Sequence, residues 1–228
     1  MAEQVSDSNG DRKRSRKGVL TRARLIEAAK EVFEADGFLD ARISDITERA
    51  GLSYGAFYHY FDSKEEVFRE VAARVDERLS APLDSIILAP SSDLPPEQRI
   101  RESLTRHLTS YRSEARIMGV IEQVSRYDEE VAAMRFARHQ EYNKRIGDSI
   151  RQLQRHGMAD EQLQPQIVAA ILGGMTQRFA EMWLVQGIVK LTFNDAVEQL
   201  TLVFVNALGL PKPAASSRKK RATTRSTA

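Results

Sequence analysis

Residues 43–61 read ISDITERAGLSYGAFYHYF. Two short helical patterns flank the turn Gly51-Leu52-Ser53. In the first, Ile43, Ile46 and Ala50 recur at helical spacing; the second spans about 54–60, with Phe57 inward and Phe61 packing at its exit. Two short helices joined by so tight a turn form a helix-turn-helix unit, which holds its second helix in position to enter a major groove. The face that meets DNA must be polar or small, because base edges are read by donors and acceptors at close range. Ser53, Tyr54, Gly55, Tyr58 and His59 fall on that face. Gly55 lowers helix propensity by roughly 1 kcal/mol against Ala, which makes sense where a backbone must approach DNA closely.

Upstream, Leu25, Ile26, Ala29, Val32 and Phe33 mark one face of a helix over about 21–36. Thr21 is expected to cap its start and Gly37 to give it a left-handed exit. Downstream, Ser63-Lys64-Glu65-Glu66 has the pattern of a capping box. It opens a helix with the stripe Val67, Phe68, Val71, Val75 and Leu79, which Pro82 is expected to end or bend. Residues 89–96, APSSDLPP, read as a loop. Further helices are expected at about 97–113, 116–126, 129–156, 165–186 and 194–207. No strand-like alternation persists, so the expected fold class is all-α: an N-terminal three-helix helix-turn-helix domain plus a larger C-terminal helical domain.

The stretches LIEAAKEVFEADGF at 25–38, the quoted 43–61, and SKEEV at 63–67 together resemble the tetracycline-repressor (TetR) family of bacterial regulators. The resemblance covers roughly the first third of the chain; the rest matches in length and helical character only. It implies base contacts from Ser44, Tyr54, Gly55 and Tyr58, and phosphate contacts from Thr21, Ser53, His59, Tyr60 and Lys64. Two departures stand out. Where the family usually has a capping Thr this chain has Arg42, which cannot cap; its guanidinium is expected to bind phosphate, or the helix start to fray. Tyr54 is larger than the residue often found there, so the operator does not follow by analogy.

Four domains of sequence are expected: a disordered basic tail at 1–18, a DNA-binding domain at 19–64, a helical effector-binding and dimerisation domain at 65–210, and a second disordered basic tail at 211–228. The net charge of +2 conceals this division. Residues 12–17 read RKRSRK and the C-terminal tail carries no acid, whereas the 19–64 segment is slightly acidic. The tails serve solubility or a sequence-independent attraction to phosphates. Cysteine is absent, which rules out disulfides and thiolate metal sites and fits a reducing cytoplasm. No apolar run reaches the length of a membrane span, so a cytoplasmic protein without a membrane partner is expected. No nucleophile–base pair, metal-ligand cluster or phosphate-binding glycine loop is present. The expectation is therefore neither an enzyme nor a cofactor-dependent or metal-bound protein. The competing reading is a non-specific architectural DNA binder acting through its tails.

The pattern at 165–186 is apolar nearly all round, so that helix should be buried on every side, one of them against a second copy of the chain. The expected homodimer interface comprises Ile171, Met175, Met182 and Trp183, with Val197, Leu200 and Phe204 on the last helix; a monomer core is the alternative. A twofold pair would set two reading helices on a palindromic DNA operator. Candidates for a pocket holding a small, hydrophobic effector are Tyr111, Met118, Ile121, Phe136, His139 and Phe179, although such residues more often form plain core.

Overall fold

The computed structural model describes residues 8–84 and 94–211. Residues 1–7, 212–228 and most of the loop expected at 89–96 lie outside the described residues. Helix α1 spans Ser8–Asp40, α2 Ile43–Arg49, α3 Tyr54–Phe57 and α4 Lys64–Asp84. The body follows with α5 Pro96–Ser113, α6 Ala115–Val124, α7 Glu129–Arg155, α8 Pro165–Ala180 and α9 Phe193–Ala207. A π-helical turn, Glu181–Val185, prolongs α8. Among the described residues there is no strand, and the fold is all-α.

Several boundaries differ from expectation. Residues 8–18 continue α1 instead of forming a disordered tail. Arg and Lys are good helix formers, and the costly helical nucleus is already supplied by the packed turns downstream. Thr21 is therefore no cap: it sits inside α1, and its hydroxyl donates to the Lys17 carbonyl at 2.9 Å. α3 stops at Phe57, with residues 58–60 in turn conformation. α4 runs through Pro82 to Asp84. The capping box closes in a shifted form. The Glu66 amide donates to the Ser63 hydroxyl at 3.1 Å, but the Glu66 carboxylate accepts from the Asp62 amide, one residue before the expected partner.

α1 kinks at Gly37, whose φ is 75° and ψ 179°. That region is essentially reserved for glycine, and it is more extended than the left-handed helical exit expected. The kink swings Phe38 into the core, where its ring lies 5.7 Å from that of Phe33 and 4.9 Å from that of Phe68. Phe33 and Phe68 meet edge-on at 5.0 Å. Ile46, Phe57 and Phe61 complete this core, all nearly free of solvent.

The head and the body share one hydrophobic core. α4 packs on α1 and also on α5 and α7, while α1 packs on α6. In the body, α5 lies against α9 and α7 against α8. Charges reinforce the junction. Glu114, at the α5–α6 corner and only 6% exposed, lies 3.2 Å from the Lys30 ammonium of α1 and 3.1 Å from the Arg78 guanidinium of α4. Arg78 also reaches Glu27 of α1 at 2.8 Å.

Candidate nucleic-acid interface and body cavity

α2 and α3 are set at a fixed angle by their connection. Gly51 takes φ +61°, the left-handed turn that a side chain disfavours, and the Leu52 amide donates to the Thr47 carbonyl at 2.9 Å. Arg24 of α1 donates to the Ala50 carbonyl and ties the end of α2 to α1. Phe57 is fully buried, so α3 is anchored by one side and its other side faces outward.

That outward side carries Ser53, Tyr54, Gly55, Tyr58 and His59, all exposed. The Tyr54 and Tyr58 rings meet edge-on, 5.5 Å between centroids. Their hydroxyls are hydrogen-bonded at 3.1 Å. This bond, more than burial, holds the Tyr58 phenol above its ordinary pKa, so it stays a neutral donor and acceptor. A methyl placed on Gly55 would meet nothing within 4 Å. The glycine is not required by packing inside the protein, and it leaves open space beside the two phenols.

The other expected contact residues divide. Ser44 and Arg42 are exposed at the start of α2. Arg42 occupies the N-cap position without a side-chain bond, as expected of a residue that cannot cap. The start of α2 does not fray: the Arg42 carbonyl accepts from the Asp45 and Ile46 amides. Ser44 donates to Asp45 at 3.0 Å. Tyr60 is half-buried, and its hydroxyl lies beside Gly18 at the start of the packed part of α1. Lys64 is differently placed. Its ammonium donates to the backbone carbonyls of Phe38 at 2.7 Å, Leu39 at 3.1 Å and Ala41 at 2.9 Å. It also stands 4.7 Å from the Phe38 ring centre. In this structure Lys64 is thus tied to the end of α1, its three donors turned to protein instead of outward to phosphate.

In the body, a cavity of about 340 Å³ lies among α5, α7, α8 and α9. Ile100, Leu104, Ile146, Ile150, Leu172 and Phe204 form much of its wall, with Arg99, Tyr142, Gln152 and His156 as polar members. Burial pushes the Tyr142 phenol up in pKa. The size falls in the ~300–1,000 Å³ range of small-molecule sites.

None of the six expected pocket residues lines this cavity. Tyr111, Met118 and Ile121 are fully packed core; Phe136 is 66% exposed; His139 is exposed and Phe179 half-buried. Phe179 instead packs on Trp183 at 5.9 Å between centroids. The cavity-lining residues carry no distinguishing signal in sequence, since they are aliphatic members of ordinary helical stripes.

The expected dimer residues also divide. Ile171 is exposed, and Met175, Met182 and Trp183 are half-buried. Val197, Leu200 and Phe204 are buried in their own chain, because α9 presents that stripe to α5. The apolar residues that α9 leaves exposed are Leu202 and Val203, and those of α8 are Ile167 and Ile171. Among the described residues there is no cluster able to hold a metal ion and no helix long and apolar enough to cross a membrane.

A buried-anchor, open-faced α3 behind a tight glycine turn, carried on a helical body, defines a helix-turn-helix protein. Residues 25–71 match the family described as "Bacterial regulatory proteins, tetR family". The chain is 40% identical over 72 residues to the HTH-type transcriptional regulator YdgC of Bacillus subtilis, covering 32% of this chain and 37% of that one. It is 44% identical over 62 residues to the HTH-type transcriptional regulator SrpR of Pseudomonas putida, covering 27% and 29%. The shared stretch thus spans well under half of these relatives. Over the whole fold, a solved TetR/AcrR-family regulator from Thermobifida fusca superposes with TM-score 0.64 at 24% identity, covering 81% of this chain and 96% of that one. The match to the TetR family thus lies in the segment that holds the helix-turn-helix, and the likeness over the whole chain is one of fold.

Proposed function

We propose that this protein is a DNA-binding transcriptional regulator that acts as a cytoplasmic homodimer on a palindromic operator and is released by a small apolar effector. The observation that carries the reading is the exposed Tyr54–Tyr58 pair on a helix whose opposite side is locked by Phe57. With Gly55 open between them, these groups supply donors and acceptors at a surface a base edge can approach. Ser44 joins them as a base contact; Arg42, Ser53, His59, Thr21 and Tyr60 flank them as phosphate contacts. Residues 19–64 act as the reading head and 65–210 as the sensing and pairing body.

The exposed Ile167, Ile171, Leu202 and Val203 support pairing through α8 and α9. Two copies would present two reading helices related by a twofold axis, which a palindrome matches. The aliphatic wall of the body cavity supports an apolar effector. An effector acts by binding one head-to-body arrangement better than the other.

Titration of the protein onto its own upstream DNA tests the reading, with footprinting to reveal the symmetry of the site. A protected palindrome whose binding Tyr58→Ala abolishes supports it. Equal binding to upstream and random DNA would refute it. For the effector, saturated fatty acids of graded length are screened for a rise in Tm. Filling the cavity with Ile150→Trp should remove any rise; a rise that survives places the ligand elsewhere.

A further inference from the structure

We propose that Tyr142 is the specificity-determining residue of the body cavity: its hydroxyl donates a hydrogen bond to the occupant, so the effector is a compact apolar molecule carrying a neutral carbonyl oxygen. This deepens the apolar-effector reading above and rests on it.

The cavity wall is largely aliphatic, and Tyr142 of α7 interrupts it. Residues four and eight positions on along a helix share a face with the first. Ile146 and Ile150 stand in that relation to Tyr142, and both line the cavity with it. The ring is backed by α8, since a methyl on Gly173 would stand 3.8 Å from its edge. The phenol is enclosed deeply enough that burial pushes its pKa up, so it stays a neutral O–H donor. Yet the residue keeps part of its surface accessible. A group so enclosed presents that surface to the cavity it lines.

Among the described residues the Tyr142 hydroxyl has no hydrogen-bond partner. A hydroxyl in a dry, apolar setting without a partner is costly, and a hydrocarbon occupant would leave that cost in place. An occupant with an acceptor oxygen at this end removes it. The oxygen is neutral, because burial is the one cause of the Tyr142 shift and no charged group of the described residues acts on the phenol. Arg99 lines the cavity from the first turn of α5. His156 lines it from the end of α7, about 21 Å along the helix from Tyr142 at about 1.5 Å per residue. An anion beside Tyr142 would therefore be buried without a cation. Size narrows the class further. A cavity of about 150 Å³ holds one benzene ring, so 340 Å³ suits about two fused rings or a chain of similar bulk.

The test uses the full chain with tetralin and tetralone, two bicyclic molecules alike in shape that differ by a carbonyl oxygen in place of two hydrogens. Calorimetry gives both Kd values for the unaltered protein and for Tyr142→Phe. Comparing the ratio of the two Kd values between proteins cancels the different hydration of the ligands. Tyr142→Phe should lower the ketone-to-hydrocarbon affinity ratio about tenfold, the scale of one hydrogen bond in dry surroundings, while tetralin binds no worse. An equal ratio in the two proteins would overturn the Tyr142 assignment and leave the apolar cavity reading standing. Failure of the unaltered protein to bind either molecule would remove the apolar-effector reading, and the inference with it. Ile150→Trp, which fills the cavity, should abolish binding of both; binding that survives lies elsewhere and overturns the assignment. Naphthoate, an anion of similar bulk, should bind the unaltered protein more weakly than tetralone, and tighter binding would overturn the neutral acceptor. Thermal unfolding of the free proteins gives an independent reading. Removing an unpartnered hydroxyl should leave Tm unchanged or raise it, whereas a fall would show the hydroxyl engaged within the fold and overturn the proposal.

Discussion

The Tyr54 and Tyr58 hydroxyls stand 3.1 Å apart, one turn apart on the outward side of α3. Each phenol orients the other, so the pair presents a fixed pattern before DNA arrives. Tyr58→Phe keeps the edge-on ring contact and removes one hydroxyl. It should weaken binding to the preferred duplex by about 1–3 kcal/mol, the range of a base-edge contact. Stability should stay within about 0.5 kcal/mol, as for other surface changes. Anisotropy titration and urea unfolding together check this. An unchanged preference would mean that the pair is not a reading element.

Lys64 should prove a folding residue first. Replacing it with Met leaves the Phe38, Leu39 and Ala41 carbonyls without their ammonium donor. Hydrogen bonds to charged groups contribute about 1.5–3 kcal/mol when buried, and this site is partly exposed. A loss of about 2 kcal/mol in unfolding free energy, read from urea titration, is expected from those bonds. A variant of normal stability and impaired DNA binding would restore the phosphate-contact role implied by resemblance.

Gly37→Ala isolates backbone strain from crowding, since a methyl there meets nothing within 4 Å. The cost should be about 1–3 kcal/mol, the range for a residue forced into sparsely populated backbone space. Thermal unfolding measures it. A neutral result would show that the kink can relax.

His107 gives the protein a defined sensitivity to acid. Burial depresses its pKa to about 4, opposed by a hydrogen bond to the Leu79 backbone. The unfolded chain takes up this proton near pH 6.5, the folded one only near 4. Stability contributed by the neutral ring is therefore complete above about pH 6.5 and is lost as pH falls toward 4. Between pH 7 and pH 5 the loss is about 2 kcal/mol from this group. His107→Gln should flatten the stability profile by that amount in that window. Parallel profiles for the two proteins would sink the assignment.

The two stripes of α9 make opposite predictions. Leu202→Glu, on the exposed stripe, should convert a dimer to monomers in sedimentation velocity. Phe204→Ala, on the buried stripe, should lower stability by about 3–5 kcal/mol while leaving pairing intact at protein concentrations well above dissociation. A Leu202→Glu protein that sediments like the unaltered one would exclude this face as the interface.

The head was legible in the sequence because its geometry is set locally. Gly51 fixes the turn, Phe57 and Phe61 fix the inward side, and Arg42 visibly lacks a cap. The body was legible only as helices. α8 and α9 are apolar on more than one side, so periodicity could not say whether Val197 and Phe204 or Leu202 and Val203 face outward. Ile146 and Ile150 line a cavity while Ile117 and Ile121 fill a core, yet the four are chemically alike. The role of Lys64 depended on where the Gly37 kink sends three carbonyls, a relation between segments that no spacing encodes.

The Glu114 junction sets how the molecule can bend. One carboxylate at the α5–α6 corner holds cations from both α1 and α4. The chain passes from head to body through α4 alone, which by itself would act as a simple hinge with several axes of swing. Clamping α1 to the same corner makes a truss of three members. Twisting the head against the body would have to part Glu114 from Lys30 and Arg78. A ligand that displaced α5 would therefore pull on the one corner to which both helices of the head are tied.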